Sequence, residues 1–183
     1  MNGFERFIGH LHTVAHHRHR VLMHCIRAGI PVRGLLHDLS KFAPTEFWPG
    51  VRFYSGVHSP TEDERRMYGC SRAWMHHKGC NRHHWEYWTD YCAEKGAYVA
   101  VPMPRRYLAE MICDRMAAGK IYKGSAYTDG APLAYLMRGK MRNQMHPQTL
   151  AELQHFLTLL QDEGEEVMFA ALRVWVKEGK PYG

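Results

Sequence analysis

Fourteen of the 183 residues are histidine, and ten of them fall into two clusters. His10, His12, His16, His17, His19 and His24 crowd one stretch, and His76, His77, His83 and His84 another. Between them stands the pair His37-Asp38, and Asp114 follows the second cluster. Imidazole is the commonest metal ligand and titrates near neutral pH. Together with carboxylate it suits iron, manganese, zinc, nickel or cobalt. One or two divalent transition-metal ions are therefore expected, with hydrolytic or oxygen chemistry within reach.

These residues need rigid elements to converge. Phe7, Leu11, Val14, Val21, Leu22 and Cys25 recur at three- and four-residue spacing, which predicts a long helix from Phe4 to about Ala28. Gly29 stops it and Pro31 starts the next, a short helix to about Ser40 that carries His37-Asp38. On the first helix His10, His17 and His24 form one row beside the apolar stripe, and His12 and His19 form a rival row on its other edge. Spacing alone leaves both rows open, while Arg20 and Arg27 point away and should be solvated.

Ser59-Pro60-Thr61-Glu62 carries a helix-start signature, a capping serine followed by proline and, three residues on, glutamate. The helix it opens should reach about Lys78, with His77 on the inner side beside Met67, Cys70 and Trp74 and His76 on the wetter side. Tyr98 to Pro104 reads as extended. A helix from Pro104 to about Ile121 carries Asp114 on a mostly apolar face, where a bare charge is costly and must be paired, capped or metal-bound. Helical stretches near Pro132–Asn143 and Pro147–Lys177 close the chain, the last with a break at Gly164.

The run Gly34-Leu35-Leu36-His37-Asp38-Leu39-Ser40-Lys41 resembles the central motif of the HD superfamily of metal-dependent phosphohydrolases. That family places a histidine on one helix, an adjacent His-Asp pair on the next and an aspartate on a later one. His17, with Val21 four residues on, fits the first position better than His19 with Met23, and Asp114 fits the last. Members that bind two metals bridged by the aspartate of the pair, among them cyclic-dinucleotide phosphodiesterases and myo-inositol oxygenase, add two histidines in between, where His77 and His84 stand. The resemblance thus implies the ligand set His17, His37, Asp38, His77, His84 and Asp114. It covers roughly Phe4 to Lys123. The whole chain also looks like an uncharacterised family of bacterial and phage proteins with the same His-Asp-Leu-Ser-Lys and His-His-Trp-Glu-Tyr-Trp layout.

The implied activity is hydrolysis of a phosphate ester, a nucleotide or similar small metabolite, by metal-activated water. Asp38 would bridge or hold metal. Lys41 could stabilise phosphoryl charge or protonate the leaving group, and Glu46 is a candidate general acid or base. Two rival readings remain, a dinuclear-iron oxygenase and a nucleic-acid or protein-binding module with a structural metal.

A net charge of +6 and a pI near 9.1 favour anionic partners, which keeps nucleic acid possible. No stretch is apolar for the roughly 20 residues a membrane span needs. Five cysteines without a CxxC pair argue against a disulfide framework and fit small buried hydrophobes. A cytoplasmic, all-α protein is expected: one helical bundle over residues 1–183, with the metal site in residues 4–123 and the helices of 132–178 packed on it.

Overall fold

The computed structural model describes residues 1–179, so the last four residues of the expected domain lie outside the described residues. The chain is predominantly helical. In order it forms α1 (Gly3–Arg27), α2 (Pro31–Leu36), α3 (Pro44–Arg52), α4 (Pro60–Tyr68), α5 (Arg72–Cys80), the hairpin strands β1 (Thr89–Cys92) and β2 (Ala97–Ala100), α6 (Arg105–Lys123), α7 (Ala131–Arg138) and α8 (Pro147–Glu178). The strands pair antiparallel, Thr89 opposite Ala100 and Cys92 opposite Ala97. Among the described residues no helix is long and apolar enough to cross a membrane.

α6 is the central element. Leu108, Ile112, Met116 and Ala117 are fully buried, and they share one apolar cluster with Val21 and Cys25 of α1, Leu136 of α7 and Leu153, Leu157, Leu160 and Leu172 of α8. α8 bends at Gly164, whose φ of 80° and ψ of 178° interrupt the helix where a break was expected. Asn2 caps α1 with a full capping box, its side chain accepting from the Glu5 amide while Glu5 accepts from the Asn2 amide.

The helix opened by Ser59 does not reach Lys78: it ends at Gly69, which takes a left-handed φ of 75°, and Ser71 caps a new helix by accepting from the Trp74 amide. Met67 and Cys70 are consequently exposed, whereas His77 stays buried. Ser59 makes no side-chain cap bond either; its hydroxyl pairs with that of Thr61. Only Cys25 and Cys113 are buried, so most of the thiols are not the buried hydrophobes expected of them.

α2 lies tightly on α1 because Gly34 has no side chain. A Cβ there would stand 2.7 Å from the Cys25 Cβ and 2.9 Å from the Leu22 Cα. Backbone cannot yield cheaply, so Gly34→Ala should destabilise by roughly 1–3 kcal/mol, the usual range for overpacking. A urea midpoint equal to wild type would show that the two helices slide apart freely.

One α1 row faces inward, His10-His17-His24, while His12 and His19 are exposed. Its outer members are buried as neutral rings. His10 packs against Phe47 and Tyr54, and burial, with help from Lys41, lowers its pKa from 6.5 to about 4. His24 donates from Nδ1 to the Cys113 carbonyl at 3.1 Å, and burial again lowers its pKa to about 4. The unfolded chain protonates both near pH 6.5 and the folded chain only near 4. Their contribution is therefore complete above pH 6.5 and is lost as pH falls toward 4, by up to about 3 kcal/mol each. Urea midpoints of metal-free protein should drop between pH 7 and 5, and less steeply in His24→Gln. A midpoint indifferent to pH would refute this. Arg27, expected to be solvated, instead pairs with Glu165 and Glu166 of α8 and lies over the Phe169 ring.

Candidate metal centre

The His37-Asp38 pair is not inside a helix. α2 ends at Leu36, and Asp38 has φ 52° and ψ 28°, the one non-glycine residue at positive φ among the described residues. Aspartate tolerates this left-handed region better than most residues, and it brings the carboxylate round under the neighbouring helices. Arg18 of α1 fixes the break. Its guanidinium lies 5.3 Å from the Phe42 ring and donates to the His37 carbonyl at 2.8 Å and to the Leu35 carbonyl at 3.0 Å. Arg18 thus turns inward and caps α2.

The elements converge on Asp38. From α1 comes His17, from α5 His77, from the segment before the hairpin His83 and His84, and from α6 Asp114. All six ligands implied by the resemblance, with His83 in addition, fall into groups compact enough to hold a metal ion: His17, His37 and Asp114, and Asp38, His77, His83 and His84. His17 Nε2 lies 3.0 Å from Asp114 Oδ1 and 3.4 Å from His37 Nε2, and His37 Nε2 lies 3.4 Å from Asp38 Oδ2. On the other side, His77 Nε2 and His83 Nε2 stand 3.4 and 3.5 Å from Asp38 Oδ1. Two ligands about 2.0–2.2 Å from one ion at tetrahedral or octahedral angles lie roughly 2.8–3.6 Å apart. These spacings match.

Unmet polar atoms point the same way. Asp38 Oδ1, His83 Nε2 and His84 Nε2 are all buried without a hydrogen-bond partner. Leaving three such atoms unpaired is costly, and a cation between them satisfies all three at once.

Behind the centre, carboxylates hold the rings. Glu110, fully buried, has Oε1 3.0 Å from His37 Nδ1 and 3.3 Å from His83 Nδ1, and Oε2 accepts from Arg33 Nε at 2.7 Å. Burial alone would raise its pKa, but the bonds from His37 and His83 outweigh it and hold it at about 2. A carboxylate at Nδ1 places the ring proton there and leaves the Nε2 lone pair toward the centre, the usual outer support of a metal-bound imidazole. Glu46 does the same on the opposite side, 2.8 Å from His77 Nδ1 and 2.6 Å from His76 Nδ1. Both its oxygens are engaged by these rings, so the candidate acid/base Glu46 sits behind His77 rather than facing the ligand cluster. Burial pushes its pKa up, and the His77 bond and charge more than reverse this.

Lys41 differs. Its amide donates to the Asp38 carbonyl, its Nζ stands 3.5 Å from Asp38 Oδ2, and its side chain remains one-third exposed. Burial works against its charge, but Asp38 and Glu46 overcome this and raise its pKa. Asp38 is likewise opposed by burial yet held well below the usual carboxylate range by His37, His77, Lys41 and His83. Asp114 and His17 keep side-chain exposures of 19% and 13%, so the cluster opens on the side where they and Lys41 stand.

Two of the residues at the centre were not in the expected set. Sequence leaves His83 and its neighbour His84 as alternatives, and both rings face in, their centroids 4.1 Å apart. Glu110 lies one helical turn before Asp114, a spacing that places both on one face of α6. No cysteine belongs to any candidate metal group among the described residues; Cys80 Sγ lies 3.8 Å from His76 Nδ1.

No curated protein and no solved structure matches this chain significantly. A family match covers residues 6–159, from the start of α1 into α8, and so takes in every residue of the centre. The chain belongs to that family, described as a family of unknown function, DUF5662.

Proposed function

We propose that this protein is a metal-dependent phosphohydrolase of the HD type, acting on a nucleotide or similar small phosphate ester with two divalent ions. The observation that carries the reading is the division of labour at Asp38. Its Oδ2 faces His37 and its Oδ1 faces His77 and His83, which suits a carboxylate shared between two ions. His17, His37 and Asp114 would complete one ion, and His77, His83 and His84 the other. Bound there, such ions lower the pKa of water to about 7 and polarise a phosphoryl oxygen.

The chain's own groups have separable tasks. Glu110 and Glu46 keep the imidazoles in the tautomer that can bind metal. Lys41, charged and on the open side, neutralises phosphoryl oxygens or gives a proton to the leaving oxygen. Trp85 and Trp88 pack on the core, which leaves Tyr87 as the aromatic residue of that segment exposed to stack on a base.

Metal content of untagged protein tests this, with His37→Ala alongside. About two equivalents of transition metal, lost in the variant, and hydrolysis of a phosphate ester without oxygen are the expected results. Metal-free wild type that takes up neither iron, manganese nor zinc on reconstitution would end the reading. The same ligand set suits a dinuclear-iron oxygenase. Iron as the native metal, with turnover only in air, would move that reading first.

A further inference from the structure

We propose that the cavity between α1, α3 and α4 binds a phosphate dianion, either the free ion or the phosphate of a small monoester. The cavity measures about 600 Å³ and is open to solvent. That lies within the roughly 300–1,000 Å³ of small-molecule sites. None of its lining residues belongs to the ligand groups of the metal centre, so the inference stands apart from the phosphohydrolase reading.

Three arginines line it from three elements, Arg6 of α1, Arg52 at the end of α3 and Arg66 of α4. Arg6 Nη1 donates to the Arg52 main-chain carbonyl at 2.8 Å, which ties its guanidinium to the end of α3. The Arg52 guanidinium lies against the Phe53 and Tyr68 rings, 5.5 and 5.9 Å from their centroids. A guanidinium stacked on a ring keeps its fork of N–H donors for an anion. Neither Arg6 nor Arg52 forms an ion pair among the described residues.

The acid on the cavity wall is already engaged. Asp63 lies 2.9 Å from His58 Nε2 and 3.2 Å from Arg66 Nη1. Three positive charges against one negative leave a surplus of two. A phosphate monoester carries about −1.5 to −2 at pH 7, which matches it. The wall is also held in place. The Tyr54 hydroxyl lies 3.1 Å from that of Thr13, and its ring rests on α1 where a Cβ at Gly9 would collide with it. Guanidinium groups around one hollow repel one another unless an anion separates them. Ordinary solvation of the arginines is the competing explanation, and it predicts no saturable binding.

Calorimetry on the full-length chain, as purified and after chelation, tests this with inorganic phosphate, adenosine monophosphate and adenosine. Phosphate binding should survive chelation, and adenosine should bind far more weakly than its monophosphate. In chelated protein, Arg52→Gln and Arg6→Gln should each weaken phosphate binding at least about tenfold, and Lys41→Gln should leave it unchanged. Arg52 is exposed and its carbonyl survives the substitution, so this variant retains the anchor of Arg6. Tighter binding of the monophosphate than of free phosphate makes the monoester the occupant; equal or weaker binding makes it the free ion. No phosphate binding after chelation, wild-type affinity in Arg52→Gln, adenosine binding as tightly as its monophosphate, or an equal loss in Lys41→Gln would overturn the assignment. Absence of metal or of hydrolysis would end the phosphohydrolase reading and leave this site in place.

Discussion

Asp38→Asn is expected to strip the protein of bound metal and to lower ester hydrolysis by more than about 10³-fold, some 4 kcal/mol of lost transition-state stabilisation. Asparagine keeps the shape of the side chain and tolerates the left-handed backbone at this position, φ 52°. What it removes is the charge that both ligand groups share. His37, His77 and His83 all aim Nε2 at this one carboxylate, and Lys41 approaches it from the open side. Without the charge, four cationic or cation-binding groups face each other with little to hold two ions between them. Asp38→Ala loses metal too, but it adds a local strain of roughly 1–2 kcal/mol for a non-polar side chain in the left-handed region. The asparagine variant is therefore the cleaner probe. Metal content by mass spectrometry and helicity by circular dichroism are the measurements. Two full equivalents of metal in Asp38→Asn would show that the Asp38 charge does not hold the ions.

The histidine row of α1 shows what sequence could and could not reveal. Seven-residue spacing put His10, His17 and His24 on one face, and that face is the inner one. Spacing could not say that only His17 reaches the centre, because His10 is taken up by Phe47 and Tyr54 and His24 by the Cys113 carbonyl. Those partners lie far away in the chain. The His37-Asp38 pair was legible as chemistry and misread as geometry. A short apolar run after Pro31 looks like continuing helix, yet the place of Asp38 among the histidines depends on leaving the helix at Leu36. Local propensity gives way here to the partners that hold the break, above all Arg18. The split between α4 and α5 was visible in Gly69 and Ser71, a stop followed by a cap, but the unbroken run of helix formers before Gly69 obscured it. Glu110 was concealed by its surroundings: on a helix buried nearly all round, a glutamate one turn from Asp114 reads as an isolated charge until His37, His83 and Arg33 arrive from three other elements.

Glu110 carries the second large effect. Its carboxylate is completely buried, bonds Arg33 and His37 and stands 3.3 Å from His83 Nδ1, so it couples the fold to the site. Glu110→Gln keeps the volume but removes the charge, and its amide NH₂ would face donors on at least one side. Stranding a buried partner in this way costs about 3–5 kcal/mol. The metal-free variant should show a loss of that order in urea unfolding. The imidazoles supply a second, independent readout. With no carboxylate at Nδ1, His37 and His83 are free to place the proton on Nε2 and turn the wrong nitrogen toward the ion, so metal affinity should fall about 10–100-fold beyond any global instability. Measuring affinity at a urea-free temperature where both proteins are fully folded keeps the two effects apart. A Glu110→Gln protein that is less stable but binds metal with wild-type affinity would make Glu110 a structural anchor alone. A variant weakened in both would establish that the same buried charge closes the bundle and sets the tautomers from which the centre is built.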